Sequence, residues 1–268
     1  MNNDSPRKAI LVVLLTALIC STLVSAAVVI LRPIQLNNQL LDRSRNIMSL
    51  TGLLPADEVP DDEEMLALYK SLDTRMVNID EGRFDDSLDI NTFNMRRAVN
   101  DPELGTPVPP GEDRASIGRR SRYAPVYMVW NDSELDRLIL PVRGAGMWSM
   151  LYGYIALEPD FNTVAGMAFY EQNETPGLGD QITHDHWLEQ WHGKKIYSDE
   201  GEAHFSVSDS VVQPGSINAP YQVDALTGAT VTGNAVTGLV RYWFGPHGYR
   251  GLLDNLKQNP PAPVEDES

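Results

Sequence analysis

The sequence predicts an α+β fold, in which a single N-terminal transmembrane helix is followed by a mixed α/β extracytoplasmic domain. An uncharged apolar run covers residues 9–31, which is the length that a membrane-spanning helix needs. Short β-branched and aromatic runs between residues 126 and 170 predict strands, and helical spacing returns between residues 231 and 243. Because strands and helices do not alternate regularly, we expect an α+β domain rather than a doubly wound one.

The composition excludes several classes of function. Asp and Glu number 37 against 21 Lys and Arg, a formal net charge of -16, whereas nucleic-acid contacts need clustered basic residues. Hydrophobic residues make up 42% of the chain, enough to bury a core. Cys20 is the single cysteine of the sequence, which excludes an intramolecular disulfide and a cysteine-ligated iron–sulfur cluster. Redox chemistry in this chain would therefore need a bound cofactor.

The charges around the apolar run predict its orientation. Basic residues lie closely before the run as well as directly after it, and the excess before it favours a cytoplasmic N-terminus. Residues 1–8 are then cytoplasmic, residues 9–31 form the transmembrane helix, and the remainder is exported. The alternative is a cleaved signal peptide, because residues 25–27 are small, but the apolar run continues beyond the usual length of such a peptide.

The exported part is expected to consist of a membrane-proximal region, residues 32–121, a folded domain, residues 122–257, and a polar tail, residues 258–268. A stretch rich in Pro, Gly and charged residues at 101–121 predicts the boundary. Four arginines lie in this stretch or directly after it, and they form either a docking patch or part of a solvated loop. They are Arg114, Arg119, Arg120 and Arg122.

Individual elements follow from the spacing of apolar residues. A helix is expected to continue outward over residues 34–53 and to end at Pro55, and a short helix with an acidic first turn begins near Asp61. Trp187 and Trp191 are spaced to share one face of a short helix. Strands are predicted at 126–130, 138–142, 151–157, 164–170 and 205–212, and helices at 231–243 and 252–256.

Residues 224–232, with the sequence DALTGATVT, lie between a turn-rich stretch and the last long helix. This position puts Thr230 at a helix N-terminus, where unpaired amides and the positive end of the dipole favour an anion such as a phosphate. Gly228 lets the backbone approach closely, and Ala229 leaves that approach unobstructed. The alternative is that Thr230 simply caps the helix. Helical spacing and capping leave both interpretations open.

The segment from Asp224 to Thr230 resembles the flavinylation motif D-x-x-[ST]-G-A-T of the FMN-binding domain family. In that family a flavin transferase attaches FMN, through its phosphate, to the last threonine of the motif, which is Thr230 here. Residues 141–157, 169–182 and 187–196 closely resemble the family of C subunits of the Na+-translocating NADH:quinone oxidoreductases. Together with the N-terminal helix, the resemblance covers nearly the whole chain and implies that residues 122–257 are an FMN-binding domain.

The resemblance also implies which residues lie beside the flavin. Trp148 is suited to lie against the isoalloxazine face, although packing in the core is the alternative for this side chain. No catalytic residue is expected beyond the flavin itself. Besides the covalent attachment at Thr230, the resemblance implies five cofactor-binding residues: Glu174, Thr175, Leu178, Gly179 and Thr227. The chemistry of the residues themselves adds Trp148, Ser149, Gly228 and Ala229, with Asp224 as a supporting residue.

The function implied by the resemblance is electron transfer in the bacterial inner membrane, with the FMN-binding domain on the periplasmic side. FMN on Thr230 would take electrons from an iron–sulfur centre of membrane subunits and pass them to flavin in the B subunit, coupled to Na+ export. The implied partners are the A, B, D, E and F subunits and a flavin transferase. Two alternatives stay open: the G subunit of the Rnf ferredoxin:NAD+ oxidoreductase complex, and a membrane-anchored interaction protein without redox chemistry.

Three further patterns bear on the site. Family members tend to have a lysine shortly before the motif, where this chain has Gln213, so the local charge differs. His184, His186 and His192 form an H-x-H-x5-H cluster, but without convincing acidic ligand spacing we expect no metal site. No G-x-G-x-x-G follows a predicted strand, so NADH is expected to bind another subunit.

Overall fold

The computed structural model describes residues 6–54 and 60–263, apart from the side chains of residues 36, 37 and 39. The chain divides into two units, the first ending at Arg43 and the second beginning at Ser44. The second unit is mixed α/β, which confirms the predicted fold class. The predicted boundary at residue 121 stays a prediction, and the outer ends of the predicted cytoplasmic N-terminus and polar tail lie outside the described residues.

The secondary structure consists of a few helices and many short strands. The helices are α1 (Pro6–Thr51), α2 (Asp62–Lys70), α3 (Met95–Ala98), α4 (Asp185–Leu188), α5 (Thr230–Trp243) and α6 (Arg250–Gln258). The strands are β1 (Asp73–Asn78), β2 (Arg83–Phe84), β3 (Gly105–Pro107), β4 (Arg119–Ser121), β5 (Tyr123–Asn131), β6 (Glu134–Ala145), β7 (Met150–Leu157), β8 (Val164–Glu171), β9 (Ser206–Val207) and β10 (Gln222–Val223).

Helix α1 begins in the first unit and ends in the second. Among the described residues it is the one helix long and apolar enough to cross a membrane, and its most apolar window has no buried side chain. Pro33 lies inside the helix, which continues beyond the apolar run to Thr51, as predicted. It ends at Thr51, before Gly52, whose φ of 71° is a left-handed conformation typical of helix ends. Pro55, the predicted end, lies outside the described residues.

A six-stranded antiparallel sheet forms the body of the second unit, with the strand order β2-β1-β5-β6-β7-β8. Strands β5 to β8 contain the four strands predicted between residues 126 and 170. Strand β1 was not predicted, because its sequence DTRMVN alternates polar and apolar residues only weakly. It pairs with β5 over its whole length, from Asp73 opposite Met128 to Asn78 opposite Tyr123.

The two faces of the sheet carry separate cores. On one face α5 packs against β6, where Trp243 Nε1 donates a hydrogen bond to the Arg143 carbonyl at 2.7 Å. On the other face the last turns of α1, with Ile47 and Met48 fully buried, pack with α2 and with Tyr127 of β5. Successive strand residues point to opposite faces, so β5 and β6 contribute to both cores. The sheet therefore fixes where α5 begins.

Two of the predicted elements are shorter than expected. Helix α4 ends at Leu188 and Trp191 follows on a 3-10 turn, although the rings of Trp187 and Trp191 still meet edge to face at 5.6 Å. The predicted strand over residues 205–212 pairs only at β9, because its partner β10 has just two residues. Helix α2 is confirmed, with Asp61 as its N-cap, and so are α5 and α6.

The arginines of the predicted boundary take different roles in the fold. Strands β3 and β4 pair with each other across residues 105–121. Arg120 is buried and pairs with Asp80 at 2.5 Å, and Arg119 Nε donates to the Val99 carbonyl at 3.0 Å. Arg120 is therefore a structural residue. Both expectations for it, a docking patch and a solvated loop, were wrong, because its guanidinium is buried in an ion pair with the Asp80 carboxylate.

Candidate functional site

Thr230 is the first residue of α5, as predicted from the sequence. The N-cap is Ala229, and no side chain caps the helix. Thr230 is exposed, and its hydroxyl has no hydrogen-bond partner among the described residues. The alternative that Thr230 caps α5 is therefore wrong. A free hydroxyl stands instead beside the unpaired amides of a helix N-terminus.

The residues before Thr230 form a tight turn that sets the start of the helix. Gly228 has a φ of 74°, a conformation that favours glycine, and a Cβ there would lie 2.9 Å from Leu178 Cδ2. The Ala229 amide donates to the carbonyl of Leu226 at 3.0 Å, and Leu226 is buried. Thr227 is exposed at the outside of this turn. The turn holds the motif against the 174–179 segment while leaving Thr227 and Thr230 accessible.

Asp224, the first residue of the motif, is occupied by contacts within the protein. Its Oδ1 accepts a hydrogen bond from the Val212 amide at 2.7 Å, and its carbonyl accepts one from Trp187 Nε1 at 3.0 Å. Its amide donates to Gln190 Oε1 at 2.9 Å. These bonds join the loop after β9 to the helical segment around Trp187. Asp224 thus supports the site by fixing the loop that precedes the motif.

Glu174 is a buried carboxylate at the centre of the site, with an exposed fraction of 5%. Its Oε1 accepts hydrogen bonds from the amides of Met147 and Trp148, at 3.0 and 3.2 Å. Its Oε2 accepts a hydrogen bond from Thr232 Oγ1 at 2.5 Å. We refer to Glu174 with these three donors as the carboxylate bridge. It links the turn after β6, the segment after β8 and the first turn of α5.

Trp148 lies on the surface of the domain. It is 66% exposed, so the alternative of core packing is wrong for this residue. Its indole Nε1 donates a hydrogen bond to Thr175 Oγ1 at 3.1 Å, which restrains the ring. Trp148 therefore presents a broad apolar face with a fixed direction, which is suited to stacking against a planar ligand.

Ser149 and Gly146 shape the turn that carries Trp148. The Gly146 amide donates to the Ser149 carbonyl at 2.7 Å, and Ser149 Oγ accepts a hydrogen bond from the Asn173 amide at 3.0 Å. A Cβ on Gly146 would lie 2.5 Å from Glu174 Oε1. Only a residue without a side chain fits here while the carboxylate keeps its position.

Large apolar side chains are exposed in the three segments that the carboxylate bridge links. Met147 is 50% exposed, Leu178 is 40% exposed beside Gly228, and Val231 is 54% exposed next to Thr230. With Trp148, these side chains provide apolar surface that a soluble domain normally buries or uses for binding. We call Met147, Trp148, Leu178 and Val231 the apolar surface of the site.

The structure thus brings together most of the residues singled out in the sequence. Gly179 joins them, because a Cβ there would lie 2.8 Å from Thr232 Oγ1 and 2.9 Å from Glu174 Cβ. Sequence reasoning missed two residues of the carboxylate bridge, Met147 and Thr232. A signal for Thr232 existed, since a second threonine two positions after Thr230 falls on the opposite side of the helix.

Charged and titratable groups near the motif have partners that limit their roles. Burial lowers the pKa of Lys194, an effect that the nearby Asp224 carboxylate opposes, and Lys194 Nζ donates to the Ala219 carbonyl at 2.8 Å. Gln213 is exposed in the loop bonded to Asp224. Among the histidines, His184 Nε2 lies 3.9 Å from Asp180 Oδ2 and His192 Nδ1 lies 3.2 Å from the Ala165 carbonyl.

Comparison with known proteins identifies the family. Residues 146–245 match the model of the FMN-binding domain. The chain is 41% identical to the C subunit of the Na(+)-translocating NADH-quinone reductase of Pseudomonas aeruginosa, over 96% of this chain and 98% of that protein. The chain belongs to the family of Na(+)-translocating NADH-quinone reductase C subunits. The C subunit of Vibrio alginolyticus is 37% identical over 96% of this chain and 97% of that protein.

A solved structure supports the same family. The crystal structure of NqrC from Shewanella oneidensis has a TM-score of 0.73 and 33% sequence identity, and the match covers 83% of this chain and 98% of that one. Membership of the C-subunit family confirms the resemblance and sets aside the G subunit of the Rnf complex. It makes this chain a subunit of an oxidoreductase complex with an FMN-binding domain. Residues 146–245, which match the FMN-binding domain, contain Trp148, Glu174 and Thr230.

Proposed function

We propose that this chain is a covalent-FMN electron carrier, in which the FMN phosphate is esterified to Thr230 Oγ1. The observation that carries the proposal is the exposed hydroxyl of Thr230, which has no partner among the described residues and stands at the uncapped N-terminus of α5. A hydroxyl in this position is accessible to a flavin transferase. A bond from Thr230 Oγ1 to the phosphorus of the flavin donor would form as the bond from that phosphorus to the donor's leaving group breaks, and the hydroxyl proton would leave with that group. The product would be the chain plus FMN less one water.

The electrostatics of the helix N-terminus support a phosphate at Thr230. The first-turn amides of α5 and the positive dipole end, equivalent to about half an elementary charge, favour an anion there. The first turn of α5 contains no acidic residue, and no side-chain acceptor occupies its amides. Gly228 and Ala229 keep bulky side chains away from the approach.

The apolar surface of the site supports a planar ring beside that phosphate. We propose that the isoalloxazine lies against Trp148 and Leu178, which would remove apolar area from water. Ser149, Thr175 and Thr227 would supply hydrogen-bonding groups to it, and Gly179 allows the backbone to pack closely against Thr232 and Glu174. Glu174 is buried and would support the ring indirectly, through its hydrogen bond from the Trp148 amide.

When bound, FMN supplies the electron-carrying chemistry, and the chain contributes position and environment. The residues of the site would hold the phosphate and the ring at one place beside the sheet and the N-terminus of α5. We propose that electrons arrive from an iron–sulfur centre of membrane subunits and leave to flavin in the B subunit. The partners are the A, B, D, E and F subunits of the complex, and a flavin transferase acts during maturation.

The chain is proposed to reside in the bacterial inner membrane as a single-pass protein. The apolar part of α1 would span the hydrocarbon core, roughly 30 Å thick, and the basic residues before it favour a cytoplasmic N-terminus. The FMN-binding domain would then face the periplasm. This arrangement keeps the flavin beside the membrane subunits with which it exchanges electrons.

The function is tested in the assembled complex with Thr230→Val and, as a matched control, Thr237→Val. Thr237 is another threonine of α5, with its hydroxyl bonded to the Gly233 carbonyl at 3.0 Å. We expect Thr230→Val to abolish NADH-driven quinone reduction while NADH oxidation by a soluble electron acceptor continues. Quinone reduction that persists in Thr230→Val at the level of Thr237→Val would contradict an electron-carrying role at Thr230.

A further inference from the structure

Thr232, two residues beyond the proposed attachment point, has no role in the proposed function but occupies a central position. Its exposed fraction is 1%, and its hydroxyl donates to Glu174 Oε2 at 2.5 Å. At about 100° per residue, Thr230 and Thr232 point roughly 200° apart around the axis of α5. One therefore faces solvent while the other faces the protein.

The position of Glu174 leaves it little freedom to act on a ligand directly. Oε1 accepts hydrogen bonds from the amides of Met147 and Trp148, and Oε2 accepts one from the Thr232 hydroxyl. Both oxygens are therefore already bonded to donors within the protein. Buried carboxylates persist only when such donors compensate the loss of water. Glu174 is thus a structural acceptor, and Thr232 is the donor that comes from α5.

Two glycines bring the backbone into close contact with the two partners of this bond. A Cβ on Gly179 would lie 2.8 Å from Thr232 Oγ1, and a Cβ on Gly146 would lie 2.5 Å from Glu174 Oε1. The protein backbone is therefore packed against both partners. Packing this close transmits a shift of one segment to the other.

We infer that Thr232 is a positioning residue for the flavin, acting through Glu174 to set the direction of Thr230 relative to Trp148. The inference rests on the proposed function. The Thr232 hydroxyl fixes the rotation of the first turn of α5, and with it the direction of the Thr230 side chain. The same carboxylate accepts a hydrogen bond from the Trp148 amide. The positions of Thr230 and of the Trp148 indole therefore both depend on Glu174.

Without the Thr232 hydroxyl, Glu174 Oε2 loses the donor that it has among the described residues, while Oε1 keeps the amides of Met147 and Trp148. The carboxylate can then rotate or shift. The ester at Thr230 does not depend on that bond, because the Thr230 hydroxyl remains exposed. Covalent loading should therefore persist while the environment of the flavin changes. This separation of loading from environment distinguishes positioning from attachment.

The experiment compares Thr232→Val, Thr232→Ser and Thr237→Val in the full chain, expressed with a flavin transferase and purified in detergent. Serine retains the hydroxyl. Thr237 is the matched control, because its hydroxyl accepts a hydrogen bond from the Val207 amide at 2.9 Å and makes no bond to Glu174. The readouts are fluorescence of the denatured chain, visible circular dichroism and midpoint potential of the flavin, and hydrogen exchange of the Met147 and Trp148 amides.

We expect Thr232→Val to retain covalent FMN, to change the circular dichroism and midpoint potential, and to exchange the two amides on the order of tenfold faster. Thr232→Ser and Thr237→Val should match the wild type in these signals. Where Thr232→Val does not fold, Thr232→Ala removes the same hydroxyl without a methyl group beside Glu174.

Several results would overturn the inference. They are wild-type signals in Thr232→Val, an equal change in Thr237→Val, and a failure of Thr232→Ser to restore the signals. A wild-type chain without attached FMN would overturn the proposed function and this inference together, whereas attached FMN with unchanged signals in Thr232→Val overturns this inference alone.

Discussion

Trp148 Nε1 donates a hydrogen bond to Thr175 Oγ1 at 3.1 Å, although Trp148 is 66% exposed. The bond joins the turn after β6 to the segment after β8, and it restrains a ring that solvent would otherwise leave free to change rotamer. An exposed aromatic ring held in one orientation is useful for binding a planar group. The two residues therefore connect the fold directly to the proposed flavin.

Removing the ring platform should loosen the flavin without releasing it. We expect Trp148→Ala to lower the fluorescence anisotropy of covalently attached FMN, and Thr175→Val to have a smaller effect in the same direction, because it removes only the bond that restrains the indole. Leu53→Ala, at a residue 53% exposed and outside the site, is the control. Anisotropy that is unchanged in Trp148→Ala would mean that the ring does not lie against Trp148.

Gly179 should not tolerate a side chain. Its added Cβ would lie 2.8 Å from Thr232 Oγ1, so Gly179→Ala should lower the free energy of unfolding by about 1–3 kcal/mol. Gly111→Ala is the control, because no atom beyond Gly111 and its two chain neighbours lies within 4 Å of its added Cβ, and its effect should stay within about 0.5 kcal/mol. Equal urea midpoints for the two variants would contradict the close packing at Gly179.

Alkaline pH should destabilise the folded domain through its buried tyrosines. Burial raises the pKa of Tyr242 to about 12 from an ordinary value of 10.0, and burial also raises the pKa of Tyr197 and Tyr249. A raised pKa of an acid means that the folded state keeps the proton which the unfolded chain releases. The associated stability is present below the ordinary pKa and is lost as pH rises through the folded pKa.

Replacing Tyr242 tests this sign. Between pH 10.0 and about 12, the free energy of unfolding of Tyr242→Phe should fall less steeply than that of the wild type. The difference should reach about 1–3 kcal/mol at the upper limit. Urea unfolding below and above the ordinary pKa measures it. Parallel curves for the two proteins would show that Tyr242 titrates alike in both states.

Charge at residue 213 should tune the proposed flavin. The loop carrying Gln213 is fixed by the bond from the Val212 amide to Asp224 Oδ1. Gln213→Lys adds a cation near the motif and should raise the midpoint potential, because a positive charge favours the more negative, reduced flavin. Gln213→Met is the uncharged control, and added salt should weaken the effect. A potential that is the same in both variants would place residue 213 too far from the ring.

Much of the fold follows from local sequence patterns. The start of α5 at Thr230 was predicted because helical apolar spacing begins there, after a turn-rich stretch and the motif. Strands β5 to β8 were predicted because each contains a short run of β-branched and aromatic residues. Strand β1 was missed, since pairing with β5, rather than its own pattern, makes it a strand.

The contacts that complete the site depend on distant parts of the chain. Glu174 and Thr232 are 58 residues apart, and no local pattern reveals that a buried carboxylate and a helix hydroxyl will meet. Arg120 finds Asp80 in the same way, 40 residues away. Buried polar groups need hydrogen-bond partners, and the topology of the fold determines which distant residue lies close enough to be that partner.

Peptide mass analysis of the segment containing Thr230 tests the central claim most directly. The wild-type chain, expressed with and without a flavin transferase, is denatured and examined for fluorescence, then digested. We predict fluorescence that survives denaturation only with the transferase, and FMN less one water on Thr230. An unmodified Thr230 peptide in the presence of active transferase would contradict the account and favour an anchored interaction protein without redox chemistry.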